Sequence, residues 1–203
     1  MSFFSRVLAF VLLPAVGIFL TGCAIPPFNG DSKSSASVSS IAPMEEGVVY
    51  VYFGNTQWNP NAQDCGIVYP VSRQIAREGD LPLQALSELF RGPSEEERIA
   101  GYASFFSSAT ADAVKSVRVQ GGTAYVDLQD LRQIIPNAST SCGSAAFLAE
   151  MGATLTQFPG ITRVLYAMEG DPKPFYEWLQ FGCSAENDHC DKAPFEQSAS
   201  GAF

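Results

Sequence analysis

The chain has 203 residues, 12 of them basic and 21 acidic, for a formal charge of −9. That length suits one ordinary domain with tails rather than two domains, and the acidity excludes nucleic acid and anionic lipid headgroups as electrostatic partners. The five cysteines are an odd set, so one of them needs a role outside disulfide pairing.

The N-terminus supplies that role. Arg6 and the free amino group precede an apolar run from Val7 to Leu20, which has the length of a signal-peptide core and falls short of the roughly 20 apolar residues of a membrane span. Leu20, Thr21 and Gly22 then lead into Cys23, the pattern of small residues and a thiol at which a bacterial lipoprotein precursor is lipidated and cut. An uncleaved anchor, or an ordinary signal peptide cut near Gly22, are the competing readings. On the lipoprotein reading, residues 1–22 are the signal peptide and Cys23 carries diacylglycerol. The mature chain then sits in the cell envelope, lipid-anchored to a membrane on its extracytoplasmic side. Two or three acyl chains hold a protein stably, whereas a single chain is marginal. Residues 23–44, with Pro26, Pro27, Gly30 and the serine-rich stretch from Ser32 to Ser40, read as a flexible tether with a reach of roughly 25 Å.

Val48 to Phe53 form a continuous β-branched and aromatic run ended by Gly54 and Asn55, which predicts a buried strand central in its sheet. A polar loop with Trp58, Pro60 and Cys65 follows, then a second extended piece from Ile67 to Ile75, broken at Pro70. Leu83, Leu86, Leu89 and Phe90 recur at helical spacing ahead of Gly92 and Pro93, which predicts a helix over Leu81 to Arg91. Ser94 with Glu97 three residues on is a capping box, and it accounts for the Glu95, Glu96, Glu97 cluster without a catalytic role. Val117, Val119, the pair Gly121 and Gly122, and Tyr125 to Leu128 predict a β-hairpin.

Ser139 to Ser141 offer N-cap oxygens to a helix whose face is Leu148, Met151, Leu155 and Phe158, stopped by Pro159 and Gly160. Ile161 to Met168 is strand-like again, with Gly170, Asp171 and Pro172 as its turn, and Lys192 to Phe203 look loose. Elements in this order imply an α/β fold: a two-layer sandwich with a mixed sheet and helices packed mainly on one face. The domain spans residues 45–182, and residues 183–203 form a C-terminal tail.

With Cys23 assigned to lipid, Cys65, Cys142, Cys183 and Cys190 form an even set that an exported chain oxidises to two disulfides. Three pairings are possible and spacing alone does not choose. Cys183 and Cys190 flank a short polar segment that a local bridge would staple, which would leave Cys65 for Cys142. A metal site is the alternative, but no cysteine pair has the close spacing of zinc ligands and the only histidine is His189.

Seven short segments together carry a family resemblance: Val51–Asn55, Val71–Ile75, Ala85–Ser94, Gly101–Ser104, Ala124–Leu128, Ser141–Gly143 and Thr154–Val164, ending at Glu169 and Gly170. From about Val48 to Gly170 the chain resembles the GerMN domain of sporulation and spore-germination proteins, also found in envelope lipoproteins. Such domains are similar to the ring-building modules of secretion and sporulation channels, which implies a compact α/β scaffold for protein contacts. Family members carry one cysteine after the first strand and one at the start of the second long helix. The resemblance therefore implies Cys65 bonded to Cys142, which leaves Cys183 for the local bridge to Cys190. The segment from Pro172 to Cys190, with Trp178, lies outside the family pattern.

Among chemical signatures, the serine-nucleophile elbow, the phosphate-binding glycine loop, the HExxH helix and Cys-x-x-Cys are all missing from the sequence. His189 sits between acidic residues in the tail and reads as a surface histidine. Asp127, Glu169 and Asp171 fit turn and edge roles, and Arg73, which matches an arginine common in the family, fits a structural pair with a carboxylate. Tyr50, Tyr52, Trp58 and Tyr69 cluster around the first strand and read mainly as core.

The leading functional reading is a non-enzymatic envelope lipoprotein whose domain mediates protein contacts or assembly of an envelope complex, with no catalytic residue, cofactor or metal. Its partners are the membrane through the lipid and an envelope protein, and no nucleic acid. A cell-wall glycan module that binds peptidoglycan through exposed aromatics such as Trp58 and Trp178 is the alternative. A carboxylate-based hydrolase ranks third.

Overall fold

The computed structural model describes residues 46–184 and 188–196; the segment read as a signal peptide over residues 1–22, Cys23 and all of the tether read over residues 23–44 lie outside them. Among the described residues no helix is long and apolar enough to cross a membrane. The first half of the domain holds β1 (Glu46–Asn55), β2 (Tyr69–Ala76), α1 (Leu81–Phe90), α2 (Glu95–Ile99) and β3 (Tyr102–Ala103). The second half holds β4 (Val114–Gln120), β5 (Thr123–Leu128), α3 (Ser141–Thr156), β6 (Arg163–Met168), α4 (Pro172–Trp178) and α5 (Ala193–Glu196).

The α/β class is as predicted, but the strands form two three-stranded sheets instead of one mixed sheet. One is antiparallel in the order β2-β1-β3, and the other runs β4-β5-β6 with β5 and β6 parallel. The physical reason lies in α3, which runs beside β1 and occupies the edge that a further strand would have used. Gln157 accepts from the Tyr50 N–H at 2.9 Å and donates to the Tyr50 carbonyl at 2.6 Å. Thr154 Oγ1 accepts from the Tyr52 N–H at 3.2 Å, and Glu150 Oε1 from the Gly54 N–H at 3.3 Å. Three side chains spaced along one helical face thus take the place of a ladder, and β3 pairs only with the last two residues of β1.

Val48 to Phe53 is a strand, but buried on one face only. Val49, Val51 and Phe53 point into the core while Val48 and Tyr50 are exposed, as the two-residue period of a strand covered on one side requires. β2 runs unbroken through Pro70, which lies opposite Tyr52. Because β2 is a sheet edge, the N–H that proline lacks is not needed there. The hairpin turns at Gly121 and Gly122 between paired Gln120 and Thr123, with φ of +57° and +83°, which only glycine adopts without cost.

α1 begins at Asp80, whose side chain accepts from the Leu83 N–H, and buries Ala85, Leu86, Leu89 and Phe90. The capping box of Ser94 and Glu97 forms as read. α3 is capped by Thr140, and Phe158 falls beyond its last residue. A Cβ at Gly143 would meet the Asn137 carbonyl oxygen at 2.4 Å, so the close approach of the preceding turn requires glycine there. Phe147 stands at the centre of the core, with ring centroids of Phe106 at 5.2 Å and Trp178 at 5.6 Å.

Two expectations about the C-terminal region change. Trp178 is partly buried against the core rather than exposed, because α4 also buries Pro172, Phe175 and Tyr176. Lys192 to Glu196 are not loose: α5 buries Phe195 against Leu165 and Ala167, with Tyr125 at 5.6 Å. A short polar segment with one aromatic residue shows no period, so its packing is invisible until the sheet face beneath it is known.

Candidate functional site

The aromatic cluster read around the first strand is divided by the pleat of β1. Val48 and Tyr50, 57% and 48% exposed, lie with Tyr52 on the outer face of the first sheet. Trp58 and Tyr69 lie instead at the end of the sheet, on the side of inward-facing Phe53, which pairs with Tyr69. The cluster is therefore mostly surface rather than core. Trp58, 57% exposed, is held edge-on by Tyr69 at 5.0 Å and by Tyr102 at 5.6 Å.

The loop that carries Trp58 is tied down at both ends. The Asn55 side-chain oxygen accepts from the N–H groups of Gln57 and Trp58, and its amide donates to the Ala100 carbonyl. Asn59 donates to the Asp64 carbonyl at 2.7 Å. A disulfide joins Cys65 to Cys142, with Cα atoms 5.2 Å apart, and fixes the far end of the loop to the start of α3. A second disulfide joins Cys183 to Cys190.

Two hollows flank β3. One, of about 340 Å³, lies between the Trp58 loop and the start of α3, and the Cys65–Cys142 bridge lines it. The other, of about 420 Å³, reaches to the segment after β3. Thr56 and Ala103 border both.

Arg73 makes a bidentate pair with Glu97 at 2.6 and 2.7 Å and lies 5.8 Å from the Phe53 ring centroid. Burial raises the Glu97 carboxyl, but hydrogen bonds from Arg73 and the Ser94 N–H outweigh it and hold the group below its usual range. Arg73 thus joins β2 to α2, the structural role read for it.

Asp127 and Glu169 converge around Lys115. The ammonium lies 2.6 Å from Glu169 and 3.7 Å from Asp127, while Asp127 also accepts from the Gly170 N–H at 2.7 Å. The hydrogen bond to Glu169 raises the Lys115 pKa. Asp171 caps α4 by accepting from Lys173 N–H, so these carboxylates serve a charge brace and two turns.

His189 rests on Tyr176, with ring centroids 4.4 Å apart, and contacts the Gly182 carbonyl. Ligand atoms of Cys183, His189 and Cys190 lie within 4.8 Å of one another, but the two sulfurs are bonded to each other and offer no thiolate to a metal.

Sequence reasoning missed Glu150. It is almost wholly inaccessible, and Oε2 accepts from the Ser104 hydroxyl at 2.5 Å while Oε1 accepts from Gly54. Burial pushes its pKa up to about 8 against the lowering effect of those hydrogen bonds. A lone acidic residue in a helix otherwise rich in small and apolar residues was the only available signal.

A family model described as Germane, sporulation and spore germination, matches residues 38–174. The chain belongs to this family. Among solved structures, the tandem GerMN domains of the sporulation protein GerM from Bacillus subtilis are 22% identical, with a TM-score of 0.42, over 68% of this chain and 43% of that one. A candidate lipoprotein from Clostridium perfringens is 21% identical, with a TM-score of 0.34, over 61% of this chain and 75% of that one. This chain thus spans less than half of the GerM structure it matches. No curated protein matches it. The GerMN region stops at residue 174, so the later part of α4, both cysteines of the second disulfide and α5 lie beyond it.

Proposed function

We propose that this GerMN protein is a non-catalytic envelope lipoprotein, anchored through Cys23 on the extracytoplasmic side of a membrane, whose domain docks onto another envelope protein and helps assemble a complex. The observation that carries the reading is the outer face of the first sheet, where Val48 and Tyr50 are exposed side by side with Tyr52 on a rigid strand. Contiguous apolar groups on a braced surface mark contact sites in soluble domains. Aromatic residues there supply most of the contact energy. The membership in the sporulation and spore-germination family supports a role in the envelope, and the pattern of Leu20 to Cys23 supports the anchor.

The test is site-specific photocrosslinking of the full-length protein in its native envelope, with the photoreactive group at position 50. A discrete adduct that disappears on Val48→Asp supports docking through this face; no adduct, or one indifferent to Val48→Asp, overturns it. Mass spectrometry of the same preparations tests the anchor. Acylated Cys23 in the wild type, and unprocessed precursor for Cys23→Ser, are the expected results. An unacylated wild-type N-terminus removes the lipoprotein from the proposal.

A further inference from the structure

Three observations converge on the surface around β3. The two hollows that flank this strand share Thr56 and Ala103 as lining residues, so they lie side by side with β3 between them and give the surface a grooved relief. Each falls in the range of about 300–1,000 Å³ typical of small-molecule sites. Hydroxyl and amide groups dominate the polar lining: Asn59 and Asn61 in the first, Tyr102, Ser104 and Ser107 in the second, with one charge each from Asp64 and Arg98. Trp58 adjoins the second hollow through Tyr102, which lines it, and its exposed indole packs edge-on against Tyr69 and Tyr102.

We propose that this grooved surface binds a linear, uncharged glycan strand, with Trp58 as the stacking platform for one sugar ring. A pyranose presents a face of polarised C–H groups that fits an indole face, and a rim of hydroxyls that pair with neutral donors and acceptors such as Thr56, Asn61 and Ser107. An indole held in one rotamer binds without losing side-chain freedom. An anionic polymer is opposed by the formal charge of −9. This surface is separate from the outer face that carries Val48 and Tyr50, so this inference stands or falls apart from the protein-docking reading.

The experiment is calorimetric titration of the full-length protein with the N-acetylglucosamine hexamer and, separately, cellohexaose. Saturable binding of at least one oligomer is expected, weakened roughly tenfold or more by Trp58→Ala with the thermal unfolding midpoint unchanged. Trp58→Phe, which keeps an aromatic face, should retain most of the affinity even if the alanine variant unfolds. No saturable binding of either oligomer overturns the proposal, and so does equal affinity in wild type, Trp58→Ala and Trp58→Phe. Failure of both sugars together with loss of a partner-protein crosslink in Trp58→Ala also overturns it, by making Trp58 a protein contact.

Discussion

The two sheets have the same number of strands and are finished in opposite ways. The β4-β5-β6 sheet is covered on both faces: the main core takes Val126, Tyr166 and Met168, and α5 lays Phe195 on Leu165 and Ala167. The β2-β1-β3 sheet is covered on its inner face only, and Val48 and Tyr50 remain exposed outside. The cover on the second sheet comes from residues past the GerMN match, and among the described residues no element lies over the outer face of the first. The contrast teaches that covering a sheet face takes an element beyond the family match: among the described residues the second sheet has one in α5 and the first has none.

The first sheet is strapped covalently through its loop, and the second is covered hydrophobically. Breaking the strap has the largest expected effect. Its 77-residue separation makes Cys65→Ala with Cys142→Ala cost about 4.5 kcal/mol in the chain-entropy account, measured by urea unfolding of the full-length protein. Removing the cover should cost less: Phe195→Ala truncates a buried aromatic ring, with an expected loss of about 3 kcal/mol. A loss below about 0.5 kcal/mol, the range of surface changes, would show that α5 does not cover the second sheet.

The seam between α3 and the first sheet has its own pH signature. Glu150 has a folded-state pKa of about 8, above its ordinary value of 4.5. The stability it contributes is therefore complete below the ordinary value and is lost as pH rises through the folded one. Wild-type stability should fall steadily between about pH 5 and pH 8 from this group, because the unfolded chain has already released the proton that the folded one retains. Glu150→Gln should remove that slope, as chemical denaturation across the range would show. The smallest effect belongs to the exposed face: Val48→Thr should change unfolding free energy by less than about 0.5 kcal/mol, while the adduct formed from position 50 is lost.

Much of the frame was legible in the residues. Leu83, Leu86, Leu89 and Phe90 carry a helical period long enough to be read, and the glycine pair after Gln120 has one economical use. The seam was not legible, because Glu150, Thr154 and Gln157 look like solvent-facing positions until β1 is placed beside them. Glu150 is the clearest example, since its role depends on Gly54 and Ser104, remote in sequence. Trp58 and Trp178 show the same limit: each is a single aromatic in mixed surroundings, and only α4 packing against Phe147 separates the half-buried one from the exposed one. β3, with two residues, is too short to leave a periodic trace.

The surrogate ladder on β1 also sets the clock for hydrogen exchange. The amides of Tyr50, Tyr52 and Gly54 are held by side chains of α3, whereas the alternate residues of β1 face β2. Adjacent amides on one strand therefore report on different openings. Val49 and Val51 should exchange when β2 peels away, and Tyr50 and Tyr52 only when α3 lifts from the core, which takes Phe147, Met151 and Leu155 with it. In deuterium labelling β1 should show an alternating pattern of protection, with its slowest amides grouped with those of α3 in one cooperative unit.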